Sequence, residues 1–315
     1  MKDQKKAVLL ALLAVLLWST AGSAFKLSLR YTTPIPMLLL SVIAAVVVLI
    51  VLQYRNGGLV QAIRLSRRQW LMSALMGFLN PFLYYAILFV AYDRLLAQEA
   101  LVLNYLWPVL LVLLSIPMLG QRLSLNQGAG ILVSFAGMFV IATQGDFQGF
   151  RFTDAVGVGL AAGSALIWAL YWILNMKDKR ESLPKLLLNF SFGLLYILLY
   201  FVFSGEELPR ASEAWLGSAY IGLFEMGITF VVWLGALKLA RNTASVSNLI
   251  FLSPLISLFW VSLTVGEAIL PSTMLGLALI LGGIGIQNVK TAKSDQRSAK
   301  KEYRTRNKKQ GMMKF

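Results

Sequence analysis

A carboxylate stands in the middle of an apolar run. Gly222, Glu225, Met226, Thr229 and Trp233 follow one another at intervals that place them on one stripe of an α-helix. A second apolar run repeats the spacing with Gly77, Asn80, Pro81, Tyr84 and Leu88. Superposing the two runs pairs Asn80 with Glu225 and Tyr84 with Thr229, each behind a glycine that permits close helix approach. An ionised carboxylate in hydrocarbon is expensive unless it is protonated, paired or facing water, so Glu225 reads as a substrate or proton site. Its alternative is a protonated structural carboxyl bonded to a neighbouring helix. Asn80 divides the same way, between a site residue and helix–helix glue.

Aromatic residues supply the second kind of chemistry. Trp18 lies in the first apolar run, Asn104, Tyr105 and Trp107 in the fourth, Trp168, Tyr171, Trp172 and Asn175 in the sixth, and Phe251 in the ninth. Trp168, Tyr171 and Asn175 share a helical face. Some of these rings fall well inside the runs, away from the interfacial belts where Trp and Tyr collect. Core packing accounts for part of the set; the remainder can wall a cavity for an apolar or amphipathic solute. Lys26 and Glu99 lie toward the same ends of their runs and could pair or gate an entrance, although Lys26 could equally snorkel to the interface. Pro108 and Pro254 each remove a backbone donor in mid-helix, which predicts a kink and a free carbonyl, useful for a hinge or a binding site, or a static bend.

The elements that must carry these groups are membrane helices. Of 315 residues 58% are apolar, and the mean hydropathy is +0.70. The apolar residues fall into ten blocks of about 20, the length that crosses a bilayer as a helix. The blocks are 7–28, 34–53, 70–92, 96–118, 125–143, 154–176, 184–204, 214–237, 243–264 and 271–289. Cysteine and histidine are absent, which excludes thiol catalysis, disulfides, histidine-ligated metal and a Ser-His-Asp triad. There is no Walker-type phosphate loop. No metal and no other cofactor is expected, and no enzymatic activity. A membrane-embedded lipid-modifying enzyme is the distant rival; it would cluster its polar groups at one membrane face.

The net charge of +15 is distributed by topology and is not a nucleic-acid surface. With the N-terminus cytoplasmic and ten alternating helices, 24 of the 29 basic residues fall on the cytoplasmic side, among them Arg64, Arg122 and ten between Lys290 and Lys314. Seven acids, including Asp93, Asp154, Glu213 and Glu267, fall outside with Arg151 and four other bases. The tail from Lys290 reads as a solvated topogenic end, with contact to anionic lipid as the functional version. The three N-terminal lysines and the adjoining apolar run are read as a first helix; that run is long for a cleaved signal.

The chain is one unit written twice. Pro108, Gly120, Gly130 and Gly137 reappear at a constant offset as Pro254, Gly266, Gly276 and Gly283. Trp70, Leu71, Ser73, Ala74 and Gly77 reappear as Trp215, Leu216, Ser218, Ala219 and Gly222; helices 1 and 6 match weakly through Trp18 and Trp168, and helices 2 and 7 show no match. Five helices per copy, an odd number, make the copies inverted, which places a substrate site between them near the midplane. The expected organisation is an N-terminus (1–6), a first repeat (7–143), an external linker (144–153), a second repeat (154–289) and a basic cytoplasmic tail (290–315).

The ten-helix plan, the duplicated proline with Gly120-Gln121-Arg122 or Gly266-Glu267 after it, and the glycine-spaced last helix of each copy resemble the drug/metabolite transporter superfamily, specifically its EamA-domain members, over about residues 5–290. Leu17-Trp18-Ser19-Thr20, Asn104-Tyr105-Leu106-Trp107-Pro108 and Ile167-Trp168-Ala169 resemble more narrowly its aromatic amino acid exporters of the YddG type. That resemblance implies a central aromatic-lined substrate cavity, with Trp18, Tyr105, Trp107 and Trp168 in its wall and Tyr84 beside them. Glu225 departs from those exporters and leaves room for a cationic solute or proton coupling. The expected function is secondary export of amino acids or related small metabolites across a bacterial inner membrane by alternating access. A passive facilitator and a proton-coupled exporter of cationic amines are the alternatives. The expected partners are a small-molecule substrate, membrane lipid and a coupling proton; nucleic acid is not one, and the expected state is a monomer or homodimer.

Overall fold

Helix starts are set by small polar caps. Asp3 accepts a hydrogen bond from the Lys6 N–H, and Ser66 with Gln69 and Ser124 with Gln127 form reciprocal capping boxes. Asp154 accepts from the Gly157 N–H at 2.9 Å and pairs with Arg94 at 2.8 Å. The Gly157 N–H, and then Arg94, hold the Asp154 carboxyl below the usual carboxylate range. Three segments stop at a glycine in the left-handed region, Gly120 (φ 67°), Gly205 (φ 69°) and Gly266 (φ 81°).

A computed structural model describes residues 3–56, 65–120, 124–146, 154–241, 246 and 248–288. Among them the chain is all helical, with no strand. Eight segments are long and apolar enough to cross a membrane: α1 (Gln4–Ser28), α2 (Pro34–Arg55), α3 (Arg67–Arg94), α4 (Ala97–Leu119), α5 (Leu125–Ala142), α6 (Ala155–Lys177), α7 (Ser182–Ser204) and α8 (Ser212–Leu239). Two shorter apolar segments complete the order, α9 (Leu249–Val265) and α10 (Pro271–Ile286). Large apolar side chains such as Leu9, Leu132, Val202, Phe203, Leu216 and Phe259 point outward and are exposed, a surface suited to lipid and not to water. Lys2, Arg64, Gln121, Arg122, Arg151, most of the 144–153 linker and the basic tail lie outside the described residues.

The largest helix contacts of the two halves correspond. The α1–α8 contact has its counterpart in α6–α3, α2–α8 in α7–α3, and α4–α6 in α9–α1, while α2–α7 and α5–α10 map onto themselves. The duplicated glycines meet at the last of these. A Cβ on Gly276 would lie 2.8 Å from the Gly137 carbonyl oxygen, and one on Gly283 would collide with Ser134 and the Gly130 carbonyl. Gly137 thus faces Gly276 and Gly130 faces Gly283, so α5 and α10 run antiparallel with backbones in contact. Gly77 sits against the backbone of Asn189 and Gly193 on α7; Gly222 sits against Ser41 and Ala45 on α2. Helices 2 and 7, which share no sequence match, therefore occupy equivalent places.

Two local expectations change. First, the two polar stripes are not continuous α-helix: α3 breaks at Asn80, whose backbone is extended (φ −148°, ψ 119°) ahead of Pro81, and α8 contains a π-turn at Ile221–Gly227. Residues on either side of such an interruption do not share a face. Second, Pro108 and Pro254 are not mid-helix kinks. Each stands in the first turn of a new helix, Trp107–Leu119 and Ser253–Trp260, where no intrahelical donor is needed. The break precedes them, at Tyr105–Leu106 and in the 3₁₀ turn Asn248–Leu252. The start of the ninth block at 243 lies outside the described residues; the described apolar segment there is Leu249–Val265.

Candidate functional site

The breaks in α4 and α9 and the interrupted helices α3 and α8 open onto one central cavity of about 430 Å³. Trp18 of α1, Tyr84 of α3, Asn104, Tyr105 and Trp107 of α4, Trp168 of α6 and Glu225 of α8 line it. The helix breaks explain how neighbouring residues Asn104, Tyr105 and Trp107 reach the same space, which a regular helix would not allow. Across the cavity, Ile250 and Ser253 come from the break in α9, with the Ser253 hydroxyl beside the Tyr105 ring hydroxyl.

Among the described residues lining the cavity, Glu225 is the sole Asp, Glu, Lys or Arg. One carboxylate oxygen, Oε1, accepts from the Tyr85 hydroxyl at 2.9 Å; the other, Oε2, is buried with no protein partner. The π-turn frees backbone acceptors around it. The Trp18 indole N–H donates to the Glu225 carbonyl at 3.2 Å, and the Thr229 hydroxyl donates to the Phe224 carbonyl. Thr229 is consequently turned into the protein while Glu225 faces the cavity. Tyr84 donates to Asn104 Oδ1 at 3.2 Å, and Asn104 Nδ2 donates to Ser164 at 2.9 Å. Asn104 is thereby fixed in orientation, with each amide atom assigned to a partner.

The rings form a continuous aromatic wall. Trp168 stacks on Tyr84 with centroids 4.6 Å apart and planes 25° apart. It meets Trp172 edge-on at 5.8 Å, and Trp18 meets Trp233 at 5.5 Å. Ring faces of this kind attract a cation as well as an apolar body.

Several expected site residues lie elsewhere. Asn80 is fully buried beside Tyr171 of α6 and Asn189 of α7, at the break in α3 that parts it from Tyr84. Tyr171 and Asn175 line a separate, water-sized pocket with Lys185 and Asn189; only their neighbour Trp172 reaches the central cavity as well. Phe251 packs in the core, and the 3₁₀ register presents Ile250 in its place. Pro108 and Pro254 are not among the cavity-lining residues.

Lys26 and Glu99 do not pair. Lys26 Nζ donates to the carbonyls of Tyr92 and Leu95, both at 2.8 Å, capping the end of α3, so it does not snorkel outward. Glu99 accepts from Gln144 Nε2 at 2.9 Å and from the Leu96 N–H at 3.3 Å. The contact across this end of the bundle is made by Glu267, which accepts from the Ala97 N–H at 2.9 Å, and by Gln98, which binds Ala268 and Leu270 at 2.9 Å. At the other end the α6–α7 turn is tied to α3 by Arg180, which pairs with Asp178 at 2.6 Å and donates to Ser73 at 2.9 Å. Burial pushes the Asp178 carboxyl up, but the Arg180 hydrogen bonds and charge outweigh it and leave the carboxyl below the usual range.

Residues not singled out by spacing complete the wall, notably Phe25, Tyr92 and Leu101. Tyr92 continues the series Tyr84, Leu88, Tyr92 and was readable by extending that stripe. Tyr85 was not: it is fully buried behind the cavity wall, and only the fold brings it to Glu225. Tyr85→Phe removes the donor and leaves Glu225 Oε1 without a protein partner. A buried acceptor orphaned in this way costs about 1–3 kcal/mol. The expected result is a fold that survives purification, with apparent substrate affinity lowered about fivefold or more in a vesicle uptake assay.

A helical bundle that spans a membrane many times, with a cavity at the meeting point of two similar halves, is the architecture of a transporter. The profile of the EamA-like transporter family matches residues 5–143 and 155–288, and this chain belongs to that family. It is 29% identical to the aromatic amino acid exporter YddG of Ancylobacter novellus over 90% of this chain and 97% of that protein. It is 28% identical to a probable terminal-alkyne amino-acid exporter of Streptantibioticus cattleyicolor (91% and 94% covered). It is 25% identical to the uncharacterized transporter YvbV of Bacillus subtilis (91% and 92% covered). A protein of known crystal structure, 23% identical, superposes with a TM-score of 0.63 over 91% of this chain and 97% of its own, a likeness of fold alone.

Proposed function

We propose that this multi-pass membrane protein is a secondary exporter of small metabolites that carry an amino group on an apolar or aromatic body. The observation that carries the reading is Glu225, with one carboxylate oxygen free, in a cavity walled by tryptophan and tyrosine. An ammonium group on Glu225 and a ring between Trp18, Trp107 and Trp168 is the fit that this geometry favours. Amino acids with aromatic or other apolar side chains meet the description, in keeping with the exporters named among its relatives.

A second reading is favoured by one feature. Among the described residues no lysine or arginine lines the cavity to hold a carboxylate, which suits cationic amines better than zwitterions. The Glu225 proton would then exchange with the substrate in each cycle.

The transport cycle in either case is alternating access of two inverted five-helix repeats about a midplane cavity in the bacterial inner membrane. The antiparallel packing of α5 on α10 through duplicated glycines, and the matched helix contacts of the two halves, support that arrangement. Cytoplasmic termini follow from the charge distribution.

The test is counterflow in proteoliposomes with labelled tryptophan and tryptamine. A carrier accelerates label entry when unlabelled substrate is trapped inside. Tryptamine exchange without tryptophan exchange selects the cationic reading. Entry that neither saturates nor responds to trapped substrate makes the protein a passive pore and removes alternating access.

A further inference from the structure

A second hollow of about 470 Å³ lies outside the central cavity, between α1, α8 and α9, at the end of the bundle opposite the start of α1. One turn of α1 separates the two: Ala21, Gly22 and Phe25 face the cavity, whereas Thr20, Ser23, Ala24 and Leu27 face this groove. Its floor is polar. Thr20 and Tyr220 share a hydrogen bond of 2.7 Å, and the Ser23 hydroxyl, in a side chain 5% exposed, has no partner. The walls are apolar, from Ala24, Leu27 and the Trp260 ring. Its open rim carries Glu213, in the first turn of α8, with Tyr31 and Thr264, all three exposed. Among the described residues no lysine or arginine lines it; Arg30, next to Tyr31, donates to the Val265 carbonyl at 2.9 Å.

The rim sits where the outer surface changes from apolar to polar. Glu213 lies at the start of its membrane segment, Thr264 at the end of its own, and Tyr31 just beyond α1. Tyr and Trp at that depth anchor to the headgroup region. An occupant must therefore have an acyl chain for the Leu27–Trp260 wall and a positive group for Glu213.

We propose that this groove binds a phospholipid whose headgroup ends in a primary ammonium, the chain lying against Leu27 and Trp260 and the ammonium on Glu213. Glu213 repels a net-anionic headgroup, whereas a zwitterionic one can set its phosphate toward Arg30, held on the Val265 carbonyl, and its ammonium on Glu213. The groove is thereby distinct from the substrate cavity and does not depend on the function proposed above.

The experiment is lipid retention by native mass spectrometry of the purified protein, together with thermal unfolding, after delipidation and addition of dioleoyl phosphatidylethanolamine or dioleoyl phosphatidylglycerol. Wild type is expected to retain the ethanolamine lipid about tenfold better, the ratio set by one charge-assisted hydrogen bond, and to unfold at a higher temperature with it. Glu213→Lys, an exposed substitution, should reverse the preference. Thr264→Trp, which fills the rim, should abolish specific retention of both lipids with the fold intact. Equal retention of the two lipids by wild type, or an unchanged preference in Glu213→Lys, overturns the proposal. So does displacement of the lipid by tryptamine at transport-saturating concentration, which makes the groove a portal for cargo.

Discussion

Glu225→Gln is expected to lower transport of amine-bearing solutes by between ten- and a hundredfold while leaving the folded protein intact. The replacement has the same shape, and the Gln carbonyl oxygen still accepts from Tyr85 at the place of Oε1. What disappears is the charge on the free oxygen. A hydrogen bond to a charged group contributes about 1.5–3 kcal/mol, which converts to one to two orders of magnitude in affinity. Burial among Tyr84, Tyr105, Trp18 and Trp168 places the pair away from bulk water and its screening. A neutral aromatic of similar size loses its ring contacts with neither protein and should be affected little. If Glu225 exchanges a proton in each cycle, its removal also flattens the dependence of efflux on external pH. The assay is initial-rate efflux of tryptamine and of a neutral indole across an imposed pH step. Equal rates and equal pH profiles for wild type and variant would sink the assignment of Glu225 to substrate or proton.

Gly77→Ala should destabilise the bundle more than any single cavity substitution. A Cβ at Gly77 would lie 2.8 Å from the Gly193 backbone nitrogen and 2.8 Å from the Phe192 Cβ, and closer still to the Asn189 carbonyl oxygen. None of these is the end of a flexible side chain, so α3 and α7 must move apart. Overpacking of this kind costs about 1–3 kcal/mol. The loss is compounded because Asn80, at the helix break, lies one turn further along the same interface. Gly159→Ala on α6 is the control: nothing lies within 4 Å of a Cβ there. In a helix interior that exchange is neutral or stabilising by up to about 1 kcal/mol. Thermal unfolding in detergent should therefore show a marked fall in Tm for Gly77→Ala and none for Gly159→Ala. The equivalent substitution Gly222→Ala, which drives a Cβ into the Ser41 carbonyl and Ala44 on α2, should behave like Gly77→Ala, since the two glycines hold corresponding places in the two halves.

Much of this molecule was readable along the chain because membranes impose a one-dimensional code. Block length, the position of lysines and arginines, and the recurrence of Pro108, Gly120, Gly130 and Gly137 in the second half are properties of residue order alone. They led to a duplicated transporter architecture before any contact was known. Seven of the expected binding residues, Trp18, Tyr84, Asn104, Tyr105, Trp107, Trp168 and Glu225, line one cavity. Polar and aromatic groups deep in an apolar run have few places to go, and the space between the halves is one of them.

The assignments that moved share one cause. A helical period of 3.6 residues fails at the Asn80 break, at the Ile221–Gly227 and Val261–Val265 π-turns, at the Tyr105–Leu106 step and at the 3₁₀ turn before Ser253. Each departure rotates the residues beyond it about the helix axis. That rotation parts Asn80 from Tyr84 and exchanges Phe251 for Ile250. Lys26 and Glu99 stayed apart for another reason: a backbone carbonyl cluster and a glutamine amide, invisible in residue order, took their hydrogen bonds.

By itself, then, the sequence determined the class of protein, the repeat, and the residue types available at the membrane midplane. Only the tertiary structure decided which face each of them presents, that Tyr85 holds one oxygen of Glu225 while the other stays free, and that Ser23 and Glu213 belong to a groove on the far side of the cavity wall. The physical reason is that facing is the sum of every turn that precedes a residue. A break such as that at Asn80, or an inserted residue as in α8, changes that sum for everything beyond it.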